Sequence, residues 1–172
     1  MEGNSNTAGE LGHITIVING RDCHCTNKGC LEAYASGWAI AVRAQEAVRA
    51  NPQYGQQLLA LAGTVEEISA GTVAQASADG DQLARALIEE TAMYLAAGVV
   101  SIVNAFNPCL LVFGGGVIQG LPGLVSLIND MVRANALQAA VEGLRIEVAT
   151  LGDRAGVIGA AALAQHEYGK PI

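Results

Sequence analysis

Apolar and polar positions follow two rhythms along this 172-residue chain. Residues 14–18 (Ile-Thr-Ile-Val-Ile) are β-branched and predict a strand. Asn19-Gly20 follows, two residue types that tolerate positive φ, and predicts a turn. From 31 to 50 the period lengthens. Leu31, Tyr34, Ala35, Trp38, Ala39 and Val42 mark one face of a helix, which Asn51-Pro52 ends. Residues 53–63 predict no more than a short helix. A further helix is expected over 69–78, and Asp79-Gly80-Asp81 reads as a turn and a cap. A long helix over 81–106 presents Leu83, Leu87, Tyr94, Leu95, Val99, Ile102, Val103 and Phe106, and stops at Asn107-Pro108.

The second half alternates strand and helix. Residues 109–113 (Cys-Leu-Leu-Val-Phe) are apolar throughout, which predicts a strand buried on both faces. Three glycines follow, then a helix over 121–137 with Pro122 in its first turn. Residues 144–150 predict a strand, and 156–167 a last helix. This order argues for an α/β fold.

Composition narrows the class. Hydrophobic residues make up 51% and charged residues 15%, as in a globular domain. No apolar run free of glycine, polar or charged residues approaches the roughly 20 residues a bilayer span needs. The start, Met1 to Asn6, is polar and lacks the basic and apolar regions of a signal peptide. No membrane partner and a cytoplasmic location are expected. The net charge is −7, with no basic cluster, so direct nucleic-acid binding is not expected. A neutral sugar, or a nucleotide arriving with its own Mg²⁺, is compatible with that charge.

Cys23, Cys25 and Cys30 lie within eight residues. In a reducing compartment such a cluster points to metal rather than disulfides. With His13 they offer three thiolates and an imidazole, the donors of a tetrahedral zinc site. Gly29 would let the chain fold back so that Cys30 reaches the same ion. A closed four-ligand shell reads as structural zinc. The plainer alternative is three reduced cysteines in a loop. His24 competes with His13, but a residue between two ligands usually points away. Cys109 reads as a small core residue.

The segment Ala8-Gly9-Glu10-Leu11-Gly12-His13, followed by Cys23-His24-Cys25-Thr26-Asn27-Lys28-Gly29-Cys30-Leu31-Glu32-Ala33-Tyr34-Ala35-Ser36-Gly37, resembles the ROK family of repressors and sugar kinases. Residues 107–117 and 151–161 fit the same family, and residues 32–40 look most like its glucokinase branch. The resemblance implies a ribonuclease-H-like, actin- or hexokinase-type lobe with a zinc-binding loop. It implies one unit over 1–172, the C-terminal lobe, with the zinc loop at 13–30 and a nucleotide-side α/β part at 107–172. It further implies sugar binding by Glu10, His13 and Glu32, with His13 on zinc through its other nitrogen. Gly114, Gly115 and Gly116 become nucleotide contacts, although three glycines after a strand also make a plain tight turn. No Walker-type phosphate loop is present.

The expected parent is an ATP-dependent hexose kinase acting on glucose or a close relative at the 6-hydroxyl. Mg²⁺-ATP is its co-substrate, and a homo-oligomer is expected. The family's phosphate loop, and the Asn-Asp pair bearing its catalytic base, do not precede the Glu-x-x-His motif here. The chain alone is therefore expected to be inactive, its N-terminal lobe lying elsewhere, and no catalytic residue is assigned within it. Thr26 stands where the family usually has glycine, so the loop is expected to be slightly remodelled. The alternative parent is a ROK repressor, with this part sensing sugar and oligomerising. A third reading is an interaction module. Val157, Ile158, Ala161 and Leu163 on the last helix are expected to be exposed and to favour self-association.

Overall fold

The computed structural model describes residues 3–5 and 7–169. The ends of the expected 1–172 unit, and part of its polar start, lie outside them. A single 3-10 turn, Leu11–His13, precedes the cysteine loop. Then come α1 (Glu32–Ala35), α2 (Gly37–Ala50), α3 (Gln56–Ala62), α4 (Ala70–Ala78) and α5 (Gln82–Phe106). The rest is β1 (Leu110–Phe113), α6 (Gly116–Gly120), α7 (Leu124–Asn135), α8 (Gln138–Val141), β2 (Arg145–Val148) and α9 (Ala155–Tyr168).

Short oxygen-bearing side chains set the helix starts. The Ser36, Ser69 and Asp81 side chains accept from the N–H groups of Ala39, Thr72 and Ala84. Each satisfies a donor that the first helical turn would otherwise leave unpaired. Thr72 returns the bond to the Ser69 N–H, which completes a reciprocal cap. Asn107, in the left-handed region at φ 44°, ends α5.

The core gathers around α5, which packs chiefly against α7 and α4. Ile40, Leu58, Ile68, Val73, Val103, Leu124, Ile128 and Val132 are fully buried there. By length and composition α5 could cross a bilayer. Here its Ala84, Leu87, Ala92, Ala96, Val99 and Val103 are buried in that core instead.

Arg43 joins α2 to α5 from the inside. It is 4% exposed. Its guanidinium donates to the Tyr34 carbonyl at 2.8 Å, the Thr91 hydroxyl at 2.9 Å and the Leu87 carbonyl at 3.1 Å. It also pairs with Glu90 and lies over the Tyr94 ring. A buried charge with this many partners is tolerated where a bare one is not.

Several expectations are corrected. Residues 14–18 form no strand. Only Thr15 makes an isolated bridge, to Cys30, while the Gly29 carbonyl accepts from both Ile16 and Val17. The chain turns back too tightly for a ladder, and Ile18 is 85% exposed. The helix expected over 31–50 breaks at Ser36, whose extended backbone, φ −73° and ψ 163°, splits it into α1 and α2. The helix expected over 121–137 begins at Leu124, after Gly123 at φ 89°, and is flanked by the separate short α6 and α8.

Only two strands pair among the described residues, in parallel, with Leu111 opposite Ile146 and Phe113 opposite Val148. The α/β alternation is therefore confined to the second half of a largely helical chain. β1 is not buried on both faces: Leu111 and Phe113 turn to the core, while Val112 is 54% exposed. Cys109 is exposed and is not a core residue.

Candidate functional site

The cysteine loop is closed by backbone bonds before any side chain is considered. Ile16 donates to Gly29, Gly29 to Arg21, Cys23 to Asn27 and Leu31 to Ile14. Gly29 sits at φ +76°, and a Cβ there would lie 1.7 Å from the Val17 carbonyl oxygen. Only glycine fits that return. Thr26, by contrast, is not at positive φ, so the loop forms without glycine at that position.

This folding brings His13, Cys23, Cys25 and Cys30 together, with one donor atom from each lying within 4.8 Å of all the others. Cys23 Sγ is 3.6 Å from His13 Nδ1, and Cys25 Sγ is 3.6 Å from Cys30 Sγ. A tetrahedral zinc, with bonds of about 2.3 Å to sulfur and about 2.0 Å to nitrogen, sets ligand atoms roughly 3.5–3.8 Å apart. The donor types and their spacing both fit that ion.

The surroundings push two of the thiols in opposite directions. The Asn27 backbone N–H holds the Cys25 thiol below its ordinary value, and the Cys23 and Cys30 thiols act the same way. Burial pushes the Cys30 thiol up to about 11, so without a metal it keeps its proton at neutral pH. An ion must displace that proton, so binding would release protons and tighten as pH rises. The Asn27 side chain donates to Cys30 Sγ at 3.5 Å and to the Thr15 hydroxyl at 2.8 Å. His24 turns away from the sulfurs and stacks on Trp38, ring centres 4.2 Å apart.

Glu32 stands beside this cluster. Its Oε2 is 3.6 Å from His13 Nδ1, and its Oε1 accepts the Trp38 indole N–H at 3.1 Å. The His13 and Glu32 side chains are 37% and 32% exposed, accessible yet partly held. Glu10 is exposed and begins the 3-10 turn that ends at His13. Its backbone carbonyl accepts from the His13 N–H at 3.0 Å.

The glycine run lies elsewhere in the chain, across a small cleft from Gly37. Gly115 has φ +98°, and a Cβ built at Gly115 or Gly116 meets nothing within 4 Å, so the backbone is open to approach. Gly116 lines a cleft of about 320 Å³ with Gly37, Ala70, Gly71, Ala74 and Val117. A larger cleft of about 670 Å³, lined by Ser77, Arg85, Pro122 and Leu127 among others, holds none of the metal donors, neither Glu10 nor Glu32, and none of Gly114, Gly115 and Gly116. The donor set, not the concavity, marks the site.

Trp38 and Asn27 are the site neighbours that the sequence did not single out as functional. Asn27, between two ligand cysteines, could have been read as a donor to sulfur. Trp38 could not have been placed, because its approach to Glu32 depends on the break at Ser36.

Comparison with known proteins follows the same outline. The ROK family profile matches residues 1–167. A glucokinase from Halalkalibacterium halodurans is 35% identical over 161 residues, covering 92% of this chain and 48% of that protein. The structure of a ROK family glucokinase from Streptomyces griseus, in complex with glucose and AMPPNP, superposes with a TM-score of 0.78 at 32% identity. That match covers 96% of this chain and 54% of the other. A ROK family transcriptional regulator, described as a homolog of the E. coli MLC protein, superposes with a TM-score of 0.79 at 35% identity. It covers 98% of this chain and 41% of the regulator. The chain thus spans about half the length of the curated glucokinases it matches.

Proposed function

The chain belongs to the ROK family, and from that premise we propose that it supplies the sugar- and nucleotide-binding half of an ATP-dependent hexose kinase. One observation carries the reading: Glu32 lies against the imidazole of a four-donor metal cluster. When bound, zinc supplies a rigid, closed shell rather than an open coordination position. With His13 Nδ1 on the ion, its proton resides on Nε2, and that N–H becomes a fixed donor for a sugar hydroxyl. Glu32 and Glu10 accept from neighbouring hydroxyls with charge-assisted strength. A face built from such groups discriminates against sugars lacking the matching hydroxyls. The glycine run at 114–116, with its backbone open at Gly115 and Gly116 and Gly114 against Ala149, takes the nucleotide, and the glucokinase relative crystallised with glucose and AMPPNP supports that pairing. Its reduced thiols suit a cytoplasmic setting.

Phosphoryl transfer needs a base-bearing or water-positioning group beside the nucleophile. None is assigned within these 172 residues. The purified, zinc-loaded chain is expected to bind glucose in calorimetry and to bind Mg²⁺-ATP. It should give no glucose-dependent ADP formation. A clear kinase rate would overturn the half-enzyme reading. Unaltered glucose binding by Glu32→Gln would remove the sugar face.

A second reading rests on the transcriptional regulator, which superposes as well as the glucokinase does. In it the same face senses sugar for a repressor. Glucose binding with no affinity for Mg²⁺-ATP, and a helix-turn-helix encoded upstream, would decide for it.

A further inference from the structure

Glu32 must point one way to be useful, and a surface glutamate ordinarily does not. A glutamate side chain loses much of its rotamer freedom when it is fixed. In this chain one of its oxygens is held. The Trp38 indole N–H, a donor with no acceptor function, points at Oε1 at 3.1 Å.

The indole itself cannot swing freely. One face stacks on the His24 ring, with centroids 4.2 Å apart and planes 22° apart. The ring also packs against the small buried cluster of Cys23, Cys30, Ala33 and Tyr34. The meeting of residues 32 and 38 is built by the chain break. In a continuous helix they would be about 9 Å apart along the axis and about 120° apart around it. Ser36 adopts an extended backbone, caps α2 through Ala39, and folds Trp38 back over α1.

We infer that Trp38 is a positioning residue for sugar binding: its N–H fixes the Glu32 carboxylate, leaving Oε2 on the His13 side, and His24 braces the indole. This rests on the sugar-binding reading of Glu32. It also gives His24 a task that its place between two cysteines does not suggest. Each carboxylate oxygen has about two acceptor sites. Trp38 occupies one on Oε1, so the carboxylate plane is set while acceptor capacity remains for hydroxyls.

The test uses the zinc-loaded 172-residue chain. Trp38 is its only tryptophan, so a proton–nitrogen correlation spectrum shows one indole signal. That signal is expected to shift on Glu32→Gln, with zinc content unchanged. In the wild type it should move saturably as glucose is added. Trp38→Phe keeps an aromatic ring and removes the donor. It should weaken glucose binding roughly 10- to 150-fold, the range for a hydrogen bond to a charged group, without loss of zinc. His24→Ala should weaken it less, in the same direction.

An indole signal blind to Glu32→Gln overturns the inference, as does wild-type glucose affinity in a folded Trp38→Phe. If Trp38→Phe does not fold, His24→Ala and the indole signal decide, and unchanged glucose affinity in His24→Ala then overturns it. A wild-type chain that ignores glucose, while its indole still responds to Glu32→Gln, overturns the sugar reading. The Trp38 bond is then structural only.

Discussion

The cysteine loop and the terminal helix dispose of their apolar surface in opposite ways. Around the loop, Cys30, Ala33 and Tyr34 are buried, although few residues are available to cover them. Backbone bonds, a tight glycine return and four metal donors close the space. In α9 no described residue is buried, and Val157 and Leu163 are 75% and 63% exposed. The two strands also expose apolar side chains, at Val112 and Val148. The difference shows two ways to order a segment. Ligands can draw a short loop together from within. An apolar helix needs a covering surface, and within the described residues none covers this one.

The sharpest way to break the contrast is to remove the metal. Structural zinc contributes on the order of 10 kcal/mol in small zinc domains at neutral pH. Purified chain should carry about one zinc, measured by elemental analysis. Chelation should strip hydrogen-exchange protection from Gly29 and Leu31 while α5 and α7 keep theirs. Metal-free chain with an undisturbed loop would end the claim that ligation orders it.

Next in size is Gly29→Ala. Positive φ and a carbonyl 1.7 Å from the new methyl should cost more than about 2 kcal/mol, read as a lower melting temperature with weakened zinc retention. A neutral result would mean the loop closes by some other path.

Smallest is the double change Val157→Glu, Leu163→Glu on α9. Because these positions are 75% and 63% exposed among the described residues, stability should shift by no more than about 0.5 kcal/mol. Self-association, followed by light scattering, should fall. A large loss of stability would show that α9 is already covered in solution.

Much of this was legible in the residues. The Ser69 and Asp81 caps, the stop at Asn107-Pro108 and the four donor residues are local signals, and each lies where its chemistry suggested. The exposed face of α9 was also foreseeable, from Val157, Ile158 and Leu163. The misses share a cause: they depend on contacts distant in the chain. Residues 14–18 have strand propensity, but the return through Gly29 leaves room for one bridge at Thr15. The periodicity from Leu31 to Val42 is real, yet Ser36 uses its hydroxyl to start a new helix rather than continue the old one. Val112 looks like a core residue in sequence and is exposed because only two strands pair among the described residues. The His13–Glu32 approach was implied by family resemblance, whereas the Trp38 bond to Glu32 required the fold itself.

The five-way grip of Arg43 bears on whether the cysteine loop could be transplanted. Its guanidinium ends on a carbonyl of α1 and on Thr91, Leu87 and Glu90 of α5, beneath the ring of Tyr94. A graft of residues 11–38 onto another scaffold would carry the donors but leave that anchorage behind. Lysine could not replace it, having no planar fork to divide among four acceptors. The smallest portable unit is therefore the loop together with α2 and the middle of α5, so a designer borrowing the metal site must borrow its foundation as well.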